Sequence, residues 1–600
     1  MTHQIPNFYV ETLPAGAGAP TAEWACLGPQ SISMHADRIH PDSLTRHDSP
    51  NGSRTIVVGH VILGDRIANV DVAQQAAYQI HDDAWLASLN GEFLLLHAQG
   101  PSLQIISSRF GYPPFWYAFV DGKLLGGTLF AAVWDRMQDL GRTGVNTQSL
   151  FETLVYKRVF GTKSPHPDIF ALPPAHRLTL DPSGLRTSPY WAPDFSRKLS
   201  LSPQEAAEEL SGRLKKSLQR KTSDGRRYAL FLSGGMDTRL VLAHAAELGL
   251  ELPCITINAF ENREVLVARR AAELTGQKHI FMETPQGHYR STLDEAVRLT
   301  GAMTMPMCMF HGHQEAVAPI ADVGLHGHGF DYFFQGMYIP SRRYTILGRT
   351  IPYRTRRAIS GDIVTDFLDT ISYKLRGNRL SDVARPPAFA HRMEILRAEL
   401  SDIASAFAGR AAEPGDTYEW LAFHNLARHY SIGDHWGMNT VVEQRTISFD
   451  NDLYDFYARL PSALRFDARV MRLCLERRNP ALAQLISANH GYPIGLSSAE
   501  RTLRAAARFL RRRLRPMQQS EATEFDRMGL PQQHLITGEW REAMYELANS
   551  PRLAALDFLD EKAAKRLAHE AADGKKLRDP QFLSLLMTVD RFLMNHTRNG

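Results

Sequence analysis

Arg227-Tyr-Ala-Leu-Phe-Leu-Ser-Gly-Gly-Met-Asp-Thr-Arg-Leu-Val-Leu-Ala-His244 sets the architecture of this chain. Its first six residues read as a buried strand, two glycines follow without a gap, and from Arg239 the apolar residues return at helical spacing. Strand, glycine loop, helix is an anion-binding construction. Adjacent glycines let backbone N–H groups approach phosphate oxygens, and the helix N-terminus adds about half a positive charge. The loop lacks the Gly-Lys-Ser/Thr ending of a Walker-type P-loop. It carries Asp237 instead, a hard oxygen ligand suited to magnesium beside a polyphosphate.

Outward from this stretch, a second strand at Cys254-Ile-Thr-Ile alternates with helical segments, the pattern of a parallel α/β sheet. Upstream, Arg54 to Leu180 reads as short strands between turns: Thr55 to Ile62, Gly91 to His97, Leu103 to Ser108, Phe115 to Val120 and Lys123-Leu-Leu. Downstream of about Ser360 the helical period dominates, without repeats or low-complexity tracts.

A chain of 600 residues holds two or three domains. Hydrophobic residues at 44% and charged residues at 22% exclude a wholly disordered, collagen-like or coiled-coil protein. A net charge of +4 over this length does not point to nucleic acid. Cys26, Cys254, Cys308 and Cys474 form no CxxC pair, which fits a reducing compartment and argues against structural zinc. The N-terminus has no secretory pattern, and no stretch approaches the roughly 18 apolar residues of a spanning helix. Cytoplasmic location without membrane insertion is the expectation.

Leu232-Ser-Gly-Gly-Met-Asp-Thr resembles the pyrophosphate loop Ser-Gly-Gly-X-Asp-Ser of N-type ATP pyrophosphatases, in the asparagine synthetase and β-lactam synthetase superfamily. Ile255-Thr-Ile with Arg263-Glu264 through His279 is similar to that family's second strand and helix. Val323-Gly-Leu-His-Gly-His-Gly-Phe-Asp331 resembles its second loop, Gly-X-Gly-X-Asp. Val442-Glu-Gln-Arg-Thr-Ile-Ser-Phe-Asp450, with Leu460-Pro461 beyond, is similar to its Glu-X-Arg-X-Pro-Phe-Leu-Asp segment. In the first domain, Leu89-Asn-Gly-Glu-Phe, Ser108-Arg-Phe-Gly-Tyr-Pro-Pro-Phe-Trp-Tyr and Leu172-Pro-Pro-Ala-His resemble the amidotransferase half of asparagine synthetases.

The resemblance implies an α/β fold in two parts. Residues 1–195 would form an amidotransferase-like αββα domain, and residues 196–600 an adenine-nucleotide-hydrolase-like synthetase domain with a helical insertion at about 338–418. It departs from the family where glutamine-hydrolysing relatives carry a nucleophilic cysteine after the initiator methionine. This chain has Thr2 there, so the first domain is expected to be a scaffold without glutaminase activity, although an N-terminal threonine is itself a nucleophile in some hydrolases.

The activity implied joins a carboxylate to the α-phosphate of ATP, expels pyrophosphate, and lets an amine attack to give an amide and AMP, with Mg2+ neutralising charge. By position, Ser233, Gly234, Gly235, Asp237, Thr238, Gly327 and Gly329 would hold the nucleotide, and Asp237 and Asp331 the metal. Each aspartate is also a good helix N-cap. His328, at the variable position of the second loop, is the candidate general base, with Glu443 or Asp434 to orient it or take its role. Arg239 reads either as a phosphate contact or as a surface ion pair. The family's Arg-Pro-Lys-X-Gly-Phe segment is not recognisable, and Ala488-Asn-His-Gly-Tyr-Pro-Ile-Gly stands in that stretch.

Two further patterns compete. His311-Gly-His313 and His326-Gly-His328 with Asp331 read alternatively as a zinc cluster, against interleaved glycines that make poor rigid ligand scaffolds. The arginines from Arg501 to Arg515 lie on an amphipathic helix, as a docking face or a solvated one.

Within the superfamily, Thr2 and the long segment from Tyr338 to Tyr418 favour a lasso-peptide macrolactam cyclase. Its partners would be a peptide carrying both carboxylate and amine, a leader peptidase and a precursor-binding protein. The alternatives are an asparagine synthetase-like enzyme using ammonia with a small carboxylate, a β-lactam synthetase-like cyclase, and a non-catalytic nucleotide-binding scaffold.

Overall fold

The computed structural model describes the chain except residues 1–6, 15–22, 28–29, 38, 286, 304–311, 347, 360, 372–377, 425, 427–429, 490, 515–537, 576–579 and 598–600. Thr2 and His311 therefore lie outside the described residues.

The N-terminal part is a sandwich of two antiparallel sheets. One orders the strands Phe170–Ala171, Trp116–Val120, Lys123–Gly127, Asn7–Pro14, Gln30–Asp37 and Glu23–Leu27; the other orders Gly184–Pro189, His176–Asp181, Ser102–Ser107, Asn90–Gln99, Arg54–Leu63 and Leu44–Asp48. The alternation along Arg54–Leu63 explains its unbroken apolar run. Ile56 and Val58 face the other sheet with Leu94, Leu96 and Phe8, whereas Val57 and Val61 pack outward on the Asn69–Gln79 helix through Val72 and Ala76. Helices Phe130–Asp139 and Thr147–Tyr156 cover the opposite sheet, completing four layers.

The second part carries a parallel sheet ordered His279–Glu283, Cys254–Asn258, Tyr228–Phe231, Val323–His326, Glu443–Thr446. From Tyr228–Phe231 the chain winds first to one side, then returns to place Val323–His326 on the other. The switch in direction opens a crevice at the carboxyl ends of these two central strands, where ligands bind in open α/β sheets. The edge strand Glu443–Thr446 sits inside the stretch where the helical period dominates; four residues are too few to show against flanking helices.

The segment 338–418 departs from the helical insertion expected. It opens with an antiparallel hairpin, Ser341–Ile346 and Arg349–Arg356, which packs on helix Ser498–Leu514. Only then do helices Ile363–Thr370, Pro386–Ala406 and Pro414–Phe423 follow, and Phe367, Leu368, Leu396 and Leu400 are buried in the main core. Among the described residues, no helix is long and apolar enough to cross a membrane.

The two parts meet through buried polar contacts. Glu92 Oε2 accepts from Lys221 Nζ at 3.0 Å and from the Thr446 N–H at 2.9 Å. The Asn90 side-chain amide donates to Asp450 at 2.8 Å and accepts from the Asn451 N–H at 3.0 Å. A cavity of about 380 Å³ lies at this junction, lined by His60, Glu92, Tyr112, Trp436, Glu443 and Gln444 among others.

Candidate active site

The central strand ends at Phe231, Leu232 to Gly235 turn, and helix Met236–Glu247 begins. The loop holds itself in shape: the Ser233 and Thr238 hydroxyls lie 3.0 Å apart, and the Gly235 N–H donates to Ser233 Oγ at 3.2 Å. Gly234 serves the scaffold. Its N–H donates to the Glu264 carboxylate, and its carbonyl accepts from Ala488 N at 3.1 Å and Arg239 Nη2 at 2.8 Å. A Cβ on Gly234 would stand 2.4 Å from the Ala488 Cβ, so only glycine admits this approach. The Gly234 backbone, expected to meet phosphate, is engaged within the protein here.

The second loop lies against the first. A Cβ on Gly327 would come within 2.7 Å of the Asp237 carbonyl carbon and 2.8 Å of Thr238 N. Gly329 adopts φ +90 and a Cβ there would strike Ser448 Oγ at 2.3 Å. These glycines thus bring Gly327 to Asp331 onto Asp237 and Thr238 at the sheet's switch point.

Asp237 and Asp331, both partly exposed, are close enough to repel. Burial pushes the Asp237 carboxyl from 3.8 to about 7, against a hydrogen bond from Gln335 Nε2. Asp331 is raised well above its ordinary range, first by burial and then by the charge of Asp237. No basic side chain forms an ion pair with either among the described residues. Paired hard carboxylates without a cation are the donor set a divalent ion completes, and a nucleotide supplies the remaining oxygens. No group of three or more His, Cys, Asp or Glu is arranged for a metal among the described residues. His326 of the alternative zinc cluster has its Nε2 at 2.8 Å from His435 Nε2 as a hydrogen-bonded pair, and His311 of that cluster lies outside the described residues.

His328 is in the second loop, its ring packed among Tyr332, His435 and Phe449. Burial holds its imidazole down to about 4, so it is neutral near pH 7, and Tyr332 Oη lies 3.4 Å from its Nε2. Its carbonyl accepts from Ser448 Oγ.

Glu443 is elsewhere. It pairs in register with Val323 at the start of the strand whose far end, His326, precedes the loop. At about 3.3 Å per residue this is roughly 10 Å back along the sheet. Burial alone would raise its carboxyl, but the charges of Arg445 and Arg226, with hydrogen bonds from Ser43 and Arg226, hold it below its ordinary range. It is a structural ion-pair residue on the wall of the interdomain cavity, and the expectation that it orients or replaces His328 is corrected. Asp434 falls in helix Tyr430–Met438, with its side chain outside the described residues.

Arg239 is neither of the alternatives open from sequence. It is fully buried and donates to the carbonyls of Gly234, Leu482, Leu485 and Ile486. Burial pulls its guanidinium down to about 9. Arg501 instead pairs with Asp467 at 2.9 Å, anchoring its helix; the side chains of Arg508 and from Arg511 onward lie outside the described residues.

Sequence reasoning missed Gln335, Glu264 as a loop partner, and His435. Gln335 stands just beyond the short helix Phe330–Phe333 that carries Asp331, and no sequence pattern marks it. His435 carries no signal either, because only the tertiary fold brings it to His326.

A family model described as asparagine synthase matches residues 209–594. No curated protein matches the sequence. Among solved structures, the chain is similar to the NMN synthetase of Francisella tularensis, at 16% identity over 22% of this chain and 58% of that one, TM-score 0.17. It is also similar to the glutamine phosphoribosylpyrophosphate amidotransferase of B. subtilis, at 10% identity over 48% of this chain and 65% of that one, TM-score 0.20. The chain thus spans less than two thirds of either structure, and at these TM-scores neither likeness bears on fold or activity.

Proposed function

The chain belongs to the asparagine synthase family, with an ATP-dependent ligase-type catalytic function, and on that premise we propose that it forms an amide by adenylating a substrate carboxylate and admitting a small amine, in the manner of an asparagine synthetase using free ammonia. The observation that carries this reading is the apposition of the two loops, with Gly327 against Asp237 and Thr238 and two unneutralised carboxylates between them.

Magnesium–ATP, when bound, supplies the phosphorus electrophile and the charge neutralisation. This chain's residues do the rest. Asp237 and Asp331 would hold the metal, and the Ser233 and Thr238 hydroxyls with the Gly235 backbone would orient the pyrophosphate. His328, neutral at its position, accepts the proton from the attacking amine.

The family match favours a small amine over the peptide macrolactam read first from sequence. The segment 338–418, which carried the peptide reading, commits Phe367, Leu368, Leu396 and Leu400 to the core.

The test is AMP and pyrophosphate release with magnesium–ATP, comparing aspartate plus ammonium, a small β-amino acid, and a leader-free peptide with Asp or Glu at its seventh to ninth position. Turnover with aspartate and ammonium is expected. Turnover with the peptide alone, with loss of one water from its mass, would return the chain to macrolactam formation. Pyrophosphate release with none of them would sink the small-amine reading as well.

A further inference from the structure

Arg239 is a buried cation that no acidic side chain neutralises among the described residues. Its Nη2 donates to Gly234 O at 2.8 Å and to Ile486 O, and its Nη1 to Leu485 O at 2.9 Å and Leu482 O at 3.4 Å. The fork therefore joins two backbone pieces far apart in sequence, the glycine loop and the Leu482–Ile486 turn. A second tie runs parallel, from Ala488 N to Gly234 O at 3.1 Å. Carbonyl dipoles solvate a guanidinium but do not neutralise it, and a full charge out of water is costly unless an opposite charge is near.

The opposite charge has an obvious source. Gly234 is part of the loop assigned above to pyrophosphate, and Arg239 stands in the first turn of the helix that follows it. An arginine suits the place better than a lysine, because its planar fork reaches four acceptors while its charge persists.

We propose that Arg239 is a positioning residue for the nucleotide loop: the polyphosphate supplies the counter-charge to its buried guanidinium, and its carbonyl cage passes loop occupancy to the Leu482–Ala488 segment, which seats against Gly234 when the loop is filled. This rests on the reading of the loop as a pyrophosphate site. It makes the segment before Gly491 a nucleotide-responsive wall of that site.

The test uses the full chain with pyrophosphate and magnesium, without turnover. Pyrophosphate affinity is measured by calorimetry, and protection of residues 482–495 by hydrogen exchange, for the wild type, Arg239→Met and Arg239→Lys. The wild type is expected to gain protection in 482–495 on adding pyrophosphate. Arg239→Met should lose about tenfold or more in affinity, the scale of one coupling contact, and lose the added protection. Arg239→Lys, which keeps charge without the fork, should retain most of the affinity but lose the protection. A folded Arg239→Met with wild-type affinity overturns the counter-charge, whatever its melting temperature. Should that variant not fold, Arg239→Lys with undiminished protection overturns the cage. A wild type that binds pyrophosphate without protecting 482–495 overturns the inference alone, whereas one that binds no pyrophosphate overturns it together with the function proposed above.

Discussion

Asp237 and Asp331 are where residue chemistry weighs against stability. An unfolded aspartate ionises near 3.8, whereas folded Asp237 keeps its proton to about 7. The stability from that raised value is whole below pH 3.8 and is lost as pH rises to about 7. Above pH 7 the metal-free protein carries a charged Asp237 that burial disfavours and whose charge acts on the neighbouring Asp331 carboxyl. Asp237→Asn should therefore raise the melting midpoint at pH 8 by roughly 2–4 °C, gain nothing at pH 4, and lower pyrophosphate release by about 10² or more. Calorimetry at the two pH values checks the first part; a gain independent of pH would refute the cost of that charge. His328, held at about 4 by burial, gives a second prediction. The rate of pyrophosphate release should show no limb near pH 6.5 from this residue, and a limb there that vanishes in His328→Gln would contradict its neutral state.

Among the elements, the glycine loops are joined by contacts that tolerate no side chain. Gly327→Ala would place a Cβ 2.7 Å from Asp237 backbone, and backbone cannot swing aside as a flexible side chain does. The expected cost in stability is about 1–3 kcal/mol. The loss of ATP binding should be much larger than that implies, because the metal ligands separate. Titration of magnesium–ATP against the variant and against Gly212→Ala, a helical glycine with open space around it, distinguishes the two effects. Equal affinity in both variants would mean that the second loop does not contribute to the site. The loop motifs were legible in sequence because each is local, with strand, glycine turn and helix within a dozen residues. The hairpin at Ser341–Arg356 and the edge strand Glu443–Thr446 were not, since each is held by its tertiary partners more than by its own periodicity.

Over the whole molecule, the junction between the sandwich and the parallel sheet rests on buried charge. Lys221 is fully buried on Glu92, which also accepts from Thr446, and His60 Nε2 lies 3.4 Å from the same oxygen. Removing one partner strands the other. Lys221→Met should destabilise the protein by about 3–5 kcal/mol, with part of the loss recovered when Glu92→Gln is added. Denaturant unfolding of the two single variants and the double variant measures this coupling; strict additivity would show that the pair does not hold the domains together.

The amino-acid sequence by itself determined the two-part α/β architecture and the strand, glycine loop and helix at its centre, because strand and helix periods and short motifs are local properties of the chain. Tertiary structure alone decided that Glu443 is an ion-pair residue on the cavity wall, that His326 meets His435, and that Arg239 is caged by carbonyls from the Leu482–Ile486 turn. Those outcomes depend on which strand register and which distant backbone a side chain finds. No periodicity encodes them, since the partners lie about a hundred residues or more away for each of these contacts and are chosen by packing rather than by local pattern.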